Sequence, residues 1–440
     1  MTNIAFESRI AARTGGEREP YERDAPHADR ETRATGHAPG FDLELAIHHD
    51  LESVAEEWRP FEARADCTVF QTYDWLCAWQ REIGTRRGAI PLIVIGREHG
   101  DILFILPLMI ERRALVRRLS WLGSDLSDYN APLLAKDFSH RFGSERFLAL
   151  WQDICWLIRG SAACRFDVVD LKKMPQTIGP QRNPFLALKL VVAPFGAHAT
   201  ELGKNWDAFY ASKRSASTRQ RERNKLKKLA EHGEICFVTP TQPEEIERTL
   251  DWLLDQKTES LARMGIASIF ERPGIRQFYL DVAKRAPRLA EVNRLDIGST
   301  IATASFGLIF RGSYHYLVAS YRGGDFAKYG AGNVHLHHLL RRAIDLGLDH
   351  FDFTIGDEPY KKNWCDSEQI LYEHASAVTL RGRLAVAIIG AMSRAKRIIK
   401  REPVLWNAFV KLRALAGSVR GRPRIRATGE DSAGPAAEDR

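Results

Sequence analysis

The stretch Phe326-Ala-Lys-Tyr-Gly-Ala-Gly-Asn-Val334 decides the fold, together with the helical pattern and the strand His350-Phe-Asp-Phe-Thr-Ile-Gly356 that follow it. Two glycines directly before a helix let the backbone approach an anion closely, and the unpaired N–H groups of the first helical turn then point at that anion. The stretch therefore predicts a phosphate-binding turn. An ordinary tight turn before a helix would carry the same glycines, so this second interpretation stays open.

The residues on both sides of this turn predict a sheet with one crossover helix. Apolar residues recur at helical spacing over 334–348, and 351–355 has the composition of a buried strand. Upstream, alternating apolar residues predict strands at 289–297, 300–310 and 313–321. A dinucleotide-binding fold would instead place its glycines after the first strand, as G-x-G-x-x-G.

The first 200 residues show a weaker version of the same arrangement. Strands are predicted at 43–48, 91–96, 101–111, 115–122 and 166–171, and helices at 74–83 and 145–159. Phe166-Asp-Val-Val-Asp170 parallels Phe351-Asp-Phe-Thr-Ile355, which suggests a degenerate internal duplication with a cleft between two similar halves. Residues 173–184 contain three prolines and are interpreted as a linker.

Charge is concentrated in two segments. Residues 213–228 hold eight basic residues and one acid, Glu222, and residues 391–426 hold eleven basic residues and one acid, Glu402. These segments carry net charges of +7 and +10, so the formal charge of +8 leaves −9 for the rest of the chain. Such local patches are typical of surfaces that meet anions. The first patch is predicted to form a helix at 215–233, followed by helices at 243–264 and 273–285.

Length and composition limit the class of protein. A chain of 440 residues exceeds the usual single core, so we expect two domains, with disordered tails at 1–40 and 427–440. Six cysteines are scattered without zinc-ligand spacing, which disfavours a zinc site or a disulfide framework. Residues 1–13 lack an apolar signal core and no apolar run is long enough to cross a bilayer, so a cytoplasmic protein is expected.

Three stretches carry a family resemblance: Ser212-Lys-Arg-Ser215 with the basic helix, Tyr329-Gly-Ala-Gly-Asn333, and Phe351-Asp-Phe-Thr-Ile-Gly-Asp-Glu-Pro-Tyr-Lys361 with Trp364. On these residues the chain resembles the GNAT acyltransferase superfamily, in its CelD-like branch associated with cellulose and exopolysaccharide biosynthesis, with the Fem peptidyltransferases as distant relatives. The resemblance covers about residues 202–380, with a weaker echo in 41–190. It implies an α/β fold of tandem GNAT-like domains, each a mostly antiparallel mixed sheet flanked by helices.

The resemblance also implies domain limits and an activity. Residues 41–190 would form a degenerate domain, 200–382 the catalytic domain, and 383–426 a basic amphipathic segment. The activity would be N-acyl transfer from acetyl-CoA or another acyl-CoA, without a metal, to an amino group of a sugar or polysaccharide-related metabolite. The amine would attack the thioester directly, beside strands that part between 314–321 and 351–355. The implied cofactor-binding residues are Val318, Lys328, Tyr329, Gly330, Ala331, Gly332, Asn333 and Val334.

Candidates for catalysis follow from position near the end of the last strand. Asp352 and Lys361 come first, then Tyr360 and His315, and the candidate acceptor-binding residues are Asp128, Tyr129, Lys213, Arg214 and Trp364. Each has an alternative: Asp352 as a solvated strand residue, the lysines as surface charges, Tyr360 and Trp364 as core aromatics, and Asp128 and Tyr129 as loop-capping residues. His335, His337 and His338 lack the i, i+4 spacing of a helical metal pair.

Two other functions remain open on the same residues. A pyrophosphate loop of the superfamily usually has Gln or Arg three residues before its first glycine, where this chain has Ala327, so a non-catalytic subunit of an exopolysaccharide assembly is one alternative. The other is a Fem-like aminoacyl-tRNA-dependent transferase. The basic helix would meet CoA phosphates, an anionic polysaccharide intermediate or tRNA, or would be a solvated surface.

The C-terminal segment has its own alternatives. Ala385, Ile388 and Ile389, with Met392 and Ile399, are apolar, and Arg394, Lys396, Arg397, Lys400 and Arg401 are basic. A second helix is predicted from Pro403, with Leu405, Trp406, Phe409 and Leu412 on its apolar face. Such a pair fits peripheral contact with an anionic inner membrane face, or packing on the catalytic core.

Overall fold

The computed structural model describes residues 34–37, 43–356 and 358–401, with side chains described for 43–356 and 358–391. The helix predicted from Pro403 and the tail after residue 426 lie outside the described residues. Residues 34–37, predicted as part of a disordered tail, instead form a strand, because they pair with an otherwise open sheet edge. Among the described residues, no helix is long and apolar enough to cross a bilayer.

Within the described residues, the first half of the chain contributes ten strands and four helices. The strands are β1 Ala34–His37, β2 Glu44–His48, β3 Ile90–Glu98, β4 Asp101–Arg113, β5 Val116–Trp121, β6 Leu133–Leu134, β7 Val168–Pro175, β8 Thr177–Ile178, β9 Gln181–Arg182 and β10 Val191–Val192. The helices are α1 Ala55–Arg64, α2 Tyr73–Trp79, α3 Phe138–Arg141 and α4 Ser144–Gly160.

The described part of the second half contributes eight strands and seven helices. The strands are β11 Ala197–Glu201, β12 Ile235–Val238, β13 Ala290–Ile297, β14 Thr300–Phe310, β15 Ser313–Tyr321, β16 His350–Ile355, β17 Ser367–Gln369 and β18 Leu371–Ala377. The helices are α5 Trp206–Lys213, α6 Ala216–Ala230, α7 Pro243–Arg263, α8 Ile275–Arg285, α9 Asp325–Lys328, α10 Ala331–Asp345 and α11 Leu380–Arg401. Short helical turns connect them at Glu52–Val54, Val69–Gln71, Gln80–Gly84, Thr85–Arg87, Ala162–Cys164, Pro184–Ala187 and Lys361–Asn363.

The two large sheets repeat one topology. In the first, β2, β3, β4 and β5 are antiparallel neighbours, and β5 then pairs with β7 in parallel. In the second, β12, β13, β14 and β15 are antiparallel neighbours, and β15 pairs with β16 in parallel. A helix, α4 or α10, connects the strands of each parallel pair. The predicted mixed α/β fold with two mostly antiparallel sheets is therefore confirmed.

One strand crosses from the second half to the first sheet. β18 belongs to the second half of the chain but pairs with β7 of the first sheet, whereas β11, which opens the second half, pairs with β16 of its own sheet. The first sheet therefore needs a strand from across the molecule. The predicted domain limits left β18 in the second domain, so the sequence did not anticipate this pairing.

The layers follow from the alternation of side chains along the strands. In β3, Leu92 and Val94 face a core formed with α4, whereas Ile93 and Ile95 face a larger core that contains residues of α1, α2, α7 and α8. The second sheet faces this larger core with β14 residues such as Phe306, and its opposite face packs against α10. Four helices thus lie between the two sheets.

Direct contacts join the halves within this middle layer. The rings of Trp75 and Phe278 meet edge to face with centroids 4.7 Å apart. Arg311 Nη1 donates to the carbonyl of Ala65 at 2.7 Å, and Nη2 donates to the carbonyl of Glu62. Since one continuous apolar core spans both halves, their relative position is set by packing as well as by these bonds.

Two local expectations need correction. Residues 173–184, interpreted as a linker, are folded: Lys173 lies in β7, and the side chains of Gln181 and Asn183 are buried and hydrogen-bonded. The three prolines instead end β7 and shape the turns after it. The two halves also align differently from the prediction. Thr354 of β16 and Lys173 of β7 both have a φ of +57°, and each lies at a register shift of its strand, so these two residues are equivalent. Asp352 therefore corresponds to Leu171 and not to Asp167.

Candidate active site

The strands β15 and β16 part after three paired positions. Ser313, Tyr314 and His315 pair with His350, Phe351 and Asp352, and β15 then continues to Tyr321 without β16 beside it. β16 turns toward β11, with which it stays paired through Ile355. The second part of β15 therefore presents one edge that no strand of the described chain occupies, as the predicted splay requires.

A strained residue marks this divergence. Thr354 has a φ of +57°, a left-handed conformation that a β-branched residue adopts at a cost of about 1–3 kcal/mol. Its hydroxyl donates to the Tyr316 carbonyl at 3.2 Å and so reaches across the gap. The buried Lys361 ammonium donates to the carbonyls of Thr354 and Ile355 and lies 3.0 Å from a Glu358 oxygen. Lys361 thus holds the end of β16 in place.

Asp352 is the centre of a buried polar group at the point where the strands part. The Tyr129 hydroxyl donates to its carboxylate at 2.9 Å, and the Thr354 N–H donates to Oδ1 at 2.7 Å. His315 Nδ1 lies 3.2 Å from Oδ2, although the angle is not that of a hydrogen bond. Burial and the neighbouring Asp352 charge raise the pKa of Tyr129 well above its usual range, so this phenol stays a donor.

The first half supplies the opposite wall of this group. Asp128 is buried beside Thr354, and burial raises the pKa of its carboxyl. Lys173 Nζ donates to the carbonyls of Ser124 and Ser127 and so fixes the loop that carries Asp128 and Tyr129. The structure therefore brings together Asp128, Tyr129, His315 and Asp352 from both halves.

The glycine turn lies at the end of β15 where the open edge ends. Gly330 caps α10 with a φ of +80°, which an L side chain rarely adopts. The helix begins at Ala331, three residues earlier than predicted, so Ala331, Gly332, Asn333 and Val334 form its first turn. Tyr321 covers Gly332, since a Cβ there would lie 3.4 Å from the Tyr321 ring. The N–H groups of Ala331 and Gly332 precede the first intrahelical bonds, which run from Asn333 and Val334 to the Gly330 carbonyl.

The basic helix α6 packs beside this turn, which the sequence did not predict. A Cβ on Gly330 would lie 4.0 Å from Lys225 Cδ. Lys228 Nζ lies 6.0 Å and Lys328 Nζ 5.2 Å from the centroid of the Tyr329 ring. Three lysine side chains from two elements therefore surround the glycine turn, and they make its surroundings favourable for an anion.

One acid links the basic helix to α10. Glu222 accepts hydrogen bonds from the Tyr210 hydroxyl and from Asn333 Nδ2, the latter at 3.0 Å. Arg214 Nε lies 3.7 Å and His337 Nε2 3.9 Å from its carboxylate. Asn333 therefore points at α6 and fixes the first turn of α10, instead of pointing outward from the glycine turn.

The remaining candidates lie apart from Asp352. Trp364 is fully buried under the Arg214 guanidinium, which is 4.1 Å from its ring, so it is a core aromatic. Lys213 pairs with Asp366, and Tyr360 is partly exposed and packs edge to face on Phe353. Val318 is buried and pairs with Phe306 beside an irregularity in the ladder. The structure thus does not bring Lys213, Arg214 or Trp364 into contact with the Asp352 group.

Sequence reasoning missed Lys257, on the α7 face toward β15. Its ammonium donates to the Ala319 carbonyl at 3.2 Å, on the part of β15 beyond the divergence. Burial lowers the pKa of Lys257 to about 8, and the nearby Glu358 charge opposes this effect. The sequence signal for Lys257 was a lysine at a mostly buried position of a helix. Its contact with Ala319 depends on the tertiary packing of α7 on β15, so the sequence did not reveal it.

The three histidines of α10 diverge. His335 is buried and bonded to Ser305 Oγ at 2.8 Å, and burial lowers its pKa to about 3. His337 Nε2 lies 3.2 Å from Asn333 Nδ2, and His338 stacks on Phe237. Within 34–37, 43–356 and 358–401, no group of three or more His, Cys, Asp or Glu residues could hold a metal ion.

The comparisons with known proteins address the region that carries this geometry. Residues 216–362 match the family described as an acetyltransferase (GNAT) domain. The matched region begins at α6 and contains the glycine turn, Lys257, His315, Asp352 and Lys361. Acyl transfer is therefore the function class that the match supports. No match was found among curated protein sequences.

Several solved structures are similar to this one at low sequence identity. A conserved protein of unknown function from Bacteroides thetaiotaomicron VPI-5482 is 11% identical, over 76% of this chain and 99% of that chain, with a TM-score of 0.49. FemX is 12% identical, over 72% and 95%, with a TM-score of 0.47. A tandem GNAT protein from the clavulanic acid biosynthesis pathway is 10% identical, over 76% and 98%, with a TM-score of 0.39.

His337, whose side chain is 18% exposed, should make the protein less stable in mild acid. Burial lowers its pKa to about 4, whereas an unfolded chain binds the proton near pH 6.5. The unfolded state therefore binds more protons between these values, so stability decreases as pH falls from 6.5 to 4. In urea titrations, we expect His337→Gln to lose about 1–3 kcal/mol less than the wild type over this range. The control His140→Gln, at an exposed site, should lose as much as the wild type. An identical pH dependence in His337→Gln would contradict this assignment.

Proposed function

We propose that this protein is an acyl-CoA-dependent N-acyltransferase of the cytoplasm that acts on an amino group of a sugar or polysaccharide-related metabolite. The observation that carries the proposal is the position of the glycine turn at the end of the open edge of β15. A carrier with a diphosphate at one end and a thioester at the other would reach from Gly330 to Asp352 along this edge.

The diphosphate would bind at the first turn of α10. The N–H groups of Ala331 and Gly332 precede the first intrahelical bonds, and the helix dipole favours negative charge there. Lys225 and Lys228 of α6 add charge from the side. These lysines would compensate for Ala327, which stands where the superfamily usually has Gln or Arg, and they favour an active enzyme over a silent subunit.

The arm of the carrier would lie along the edge of β15. Backbone groups on an edge strand need partners, and a chain with amide groups supplies them in the way that a strand does. The Lys257 ammonium donates a hydrogen bond to the Ala319 carbonyl, so the arm of the carrier would lie next to this ammonium. A buried cation here would also stabilise negative charge on the carbonyl oxygen during attack.

The acceptor amine would bind from the side of the first half. The carboxyl oxygens of Asp128 and Asp352 lie on this wall and would accept hydrogen bonds from an amino group. The Asp352 carboxylate already accepts hydrogen bonds from the Tyr129 hydroxyl and the Thr354 N–H. His315 Nδ1 lies 3.2 Å from Asp352 Oδ2, so the imidazole would accept the amine proton, with Asp352 as its orienting partner. After proton loss, the amine nitrogen would attack the carbonyl carbon, and the C–S bond would break to release CoA.

The exposed basic residues of α6 favour a second candidate function. Arg221, Arg223 and Lys227 are exposed in addition to the lysines near the turn, so the cationic surface is larger than a diphosphate requires. A polyanion such as the acceptor arm of tRNA would use the whole surface. This observation favours an aminoacyl-tRNA-dependent transferase as the alternative.

Calorimetric titration with acetyl-CoA tests the site for the diphosphate. We expect the wild type to bind, and Lys225→Glu/Lys228→Glu to bind at least about tenfold more weakly, because two attractive charges become repulsive. The control Arg223→Glu/Lys227→Glu makes the same charge change on the opposite face of α6 and should bind like the wild type. Equal weakening by both pairs would argue against a specific site. Heat with deacylated tRNA but none with acetyl-CoA would support the alternative function.

The role of Asp352 has a kinetic signature. Release of free thiol from acetyl-CoA would be measured with a panel of amino sugars, glucosamine first. We expect Asp352→Asn to lower kcat by about tenfold or more, because His315 loses its charged partner. Affinity for acetyl-CoA should stay the same, since Asp352 lies away from the glycine turn. The exposed Asp345→Asn serves as the control. Normal turnover in Asp352→Asn would remove this residue from the mechanism.

A further inference from the structure

The first part of α11 exposes a stripe of large apolar side chains. Leu380, Leu384 and Ile388 are 78%, 67% and 51% exposed, and their spacing of four residues places them on one face of the helix. Other strongly exposed apolar residues of the described chain, such as Leu115 and Trp156, lie on separate elements. Single exposed residues are normal on a protein surface, but an aligned set indicates a contact surface.

The exposure follows from the way in which α11 is anchored. The Thr379 hydroxyl donates to Asp167 Oδ1 at 2.7 Å and accepts from the Gly382 N–H at 3.1 Å. Gly382 lies so close to the first sheet that a Cβ would meet the Asp167 carbonyl at 2.0 Å. Since this side of the helix faces the protein, the opposite side with Leu384 faces outward.

Positive charge accompanies the stripe. Arg381 and Arg383 are exposed beside it, and the sequence of the same helix continues with five basic residues between 394 and 401 and no acid. Residues 391–426 carry a net charge of +10 on a chain that is otherwise acidic. A surface that is apolar along one helical face and strongly basic around it complements an anionic lipid surface, where the aliphatic side chains enter the headgroup boundary and the cations meet phosphates.

We propose that α11 is a membrane-docking helix, and that Leu380, Leu384 and Ile388 insert into the surface of an anionic bilayer. The helix lies in the plane of the interface and does not span the bilayer. The anchor at Thr379 and Gly382 makes this contact rigid, so docking holds the whole molecule, and not only a tail, in one orientation on the lipid. This proposal does not depend on the identity of the acyl donor or acceptor.

Flotation of the full chain with vesicles tests the proposal. We expect the protein to float with vesicles of phosphatidylcholine and phosphatidylglycerol, and to stay unbound with phosphatidylcholine alone, because the basic residues need anionic headgroups. Leu384→Glu/Ile388→Glu should reduce the floated fraction at least about fivefold. The milder Leu384→Ser/Ile388→Ser, which adds no charge, should show an intermediate loss.

A matched control separates a specific stripe from general charge. Met264→Glu/Leu346→Glu adds the same two charges at exposed apolar positions beside the ends of α7 and α10, in the second half of the molecule, and should float like the wild type. Thermal unfolding should be the same in all variants, since the changed side chains are exposed. The proposal is overturned if the wild type does not float, or if both glutamate pairs weaken flotation equally. A concentration-dependent dimer that Leu384→Glu/Ile388→Glu abolishes would assign the stripe to a second copy of the chain instead.

Discussion

The parting of β15 from β16 is the constraint on which the rest of the structure depends. It begins where the pairing of His315 with Asp352 ends, and the left-handed Thr354 and the buried Lys361 hold β16 away from β15. A strand edge inside a folded protein normally has to be covered, since its backbone groups would lose hydrogen bonds. Within the described residues, the hydroxyl of Thr354 donates to the Tyr316 carbonyl and the ammonium of Lys257 donates to the Ala319 carbonyl. We propose that a ligand with amide groups pairs along the same edge.

The duplicated topology explains why one half carries the chemistry and the other completes it. The first sheet has the same parallel step, but its position equivalent to Asp352 is Leu171, and Gly143 before α4 has a φ of −73°, unlike the left-handed Gly330 before α10. Instead, the first half contributes Asp128 and Tyr129 to the wall opposite His315. The pairing of β18 with β7 and the shared apolar core tie the halves together, so the fold sets the distance across this wall.

Local signals in the sequence were sufficient for the strand order, the glycine turn and the mixed α/β class, because alternation and helical spacing depend only on near neighbours. Asp352 and Tyr129 were both candidates, but their hydrogen bond joins residues 223 positions apart and could not be foreseen. The pairing of β18 with β7 and the approach of Lys225 to Gly330 likewise depend on tertiary structure. Lys361 was predicted as catalytic, yet its ammonium is bonded to two backbone carbonyls, which gives it a structural role in this arrangement. Trp364 was a candidate acceptor-binding residue or a core aromatic, and its full burial makes it a core aromatic.

Hydrogen exchange measured by mass spectrometry, with and without acetyl-CoA, tests the central claim most directly. A carrier that lies along the open edge of β15 would slow amide exchange in two separate segments, residues 316–321 and residues 329–334. We predict that acetyl-CoA slows amide exchange in both segments, with little change in the exchange of β3 and β4 of the first sheet. Unchanged exchange in 316–321 at saturating acetyl-CoA would contradict it, because the carrier would then not occupy the space between β15 and β16.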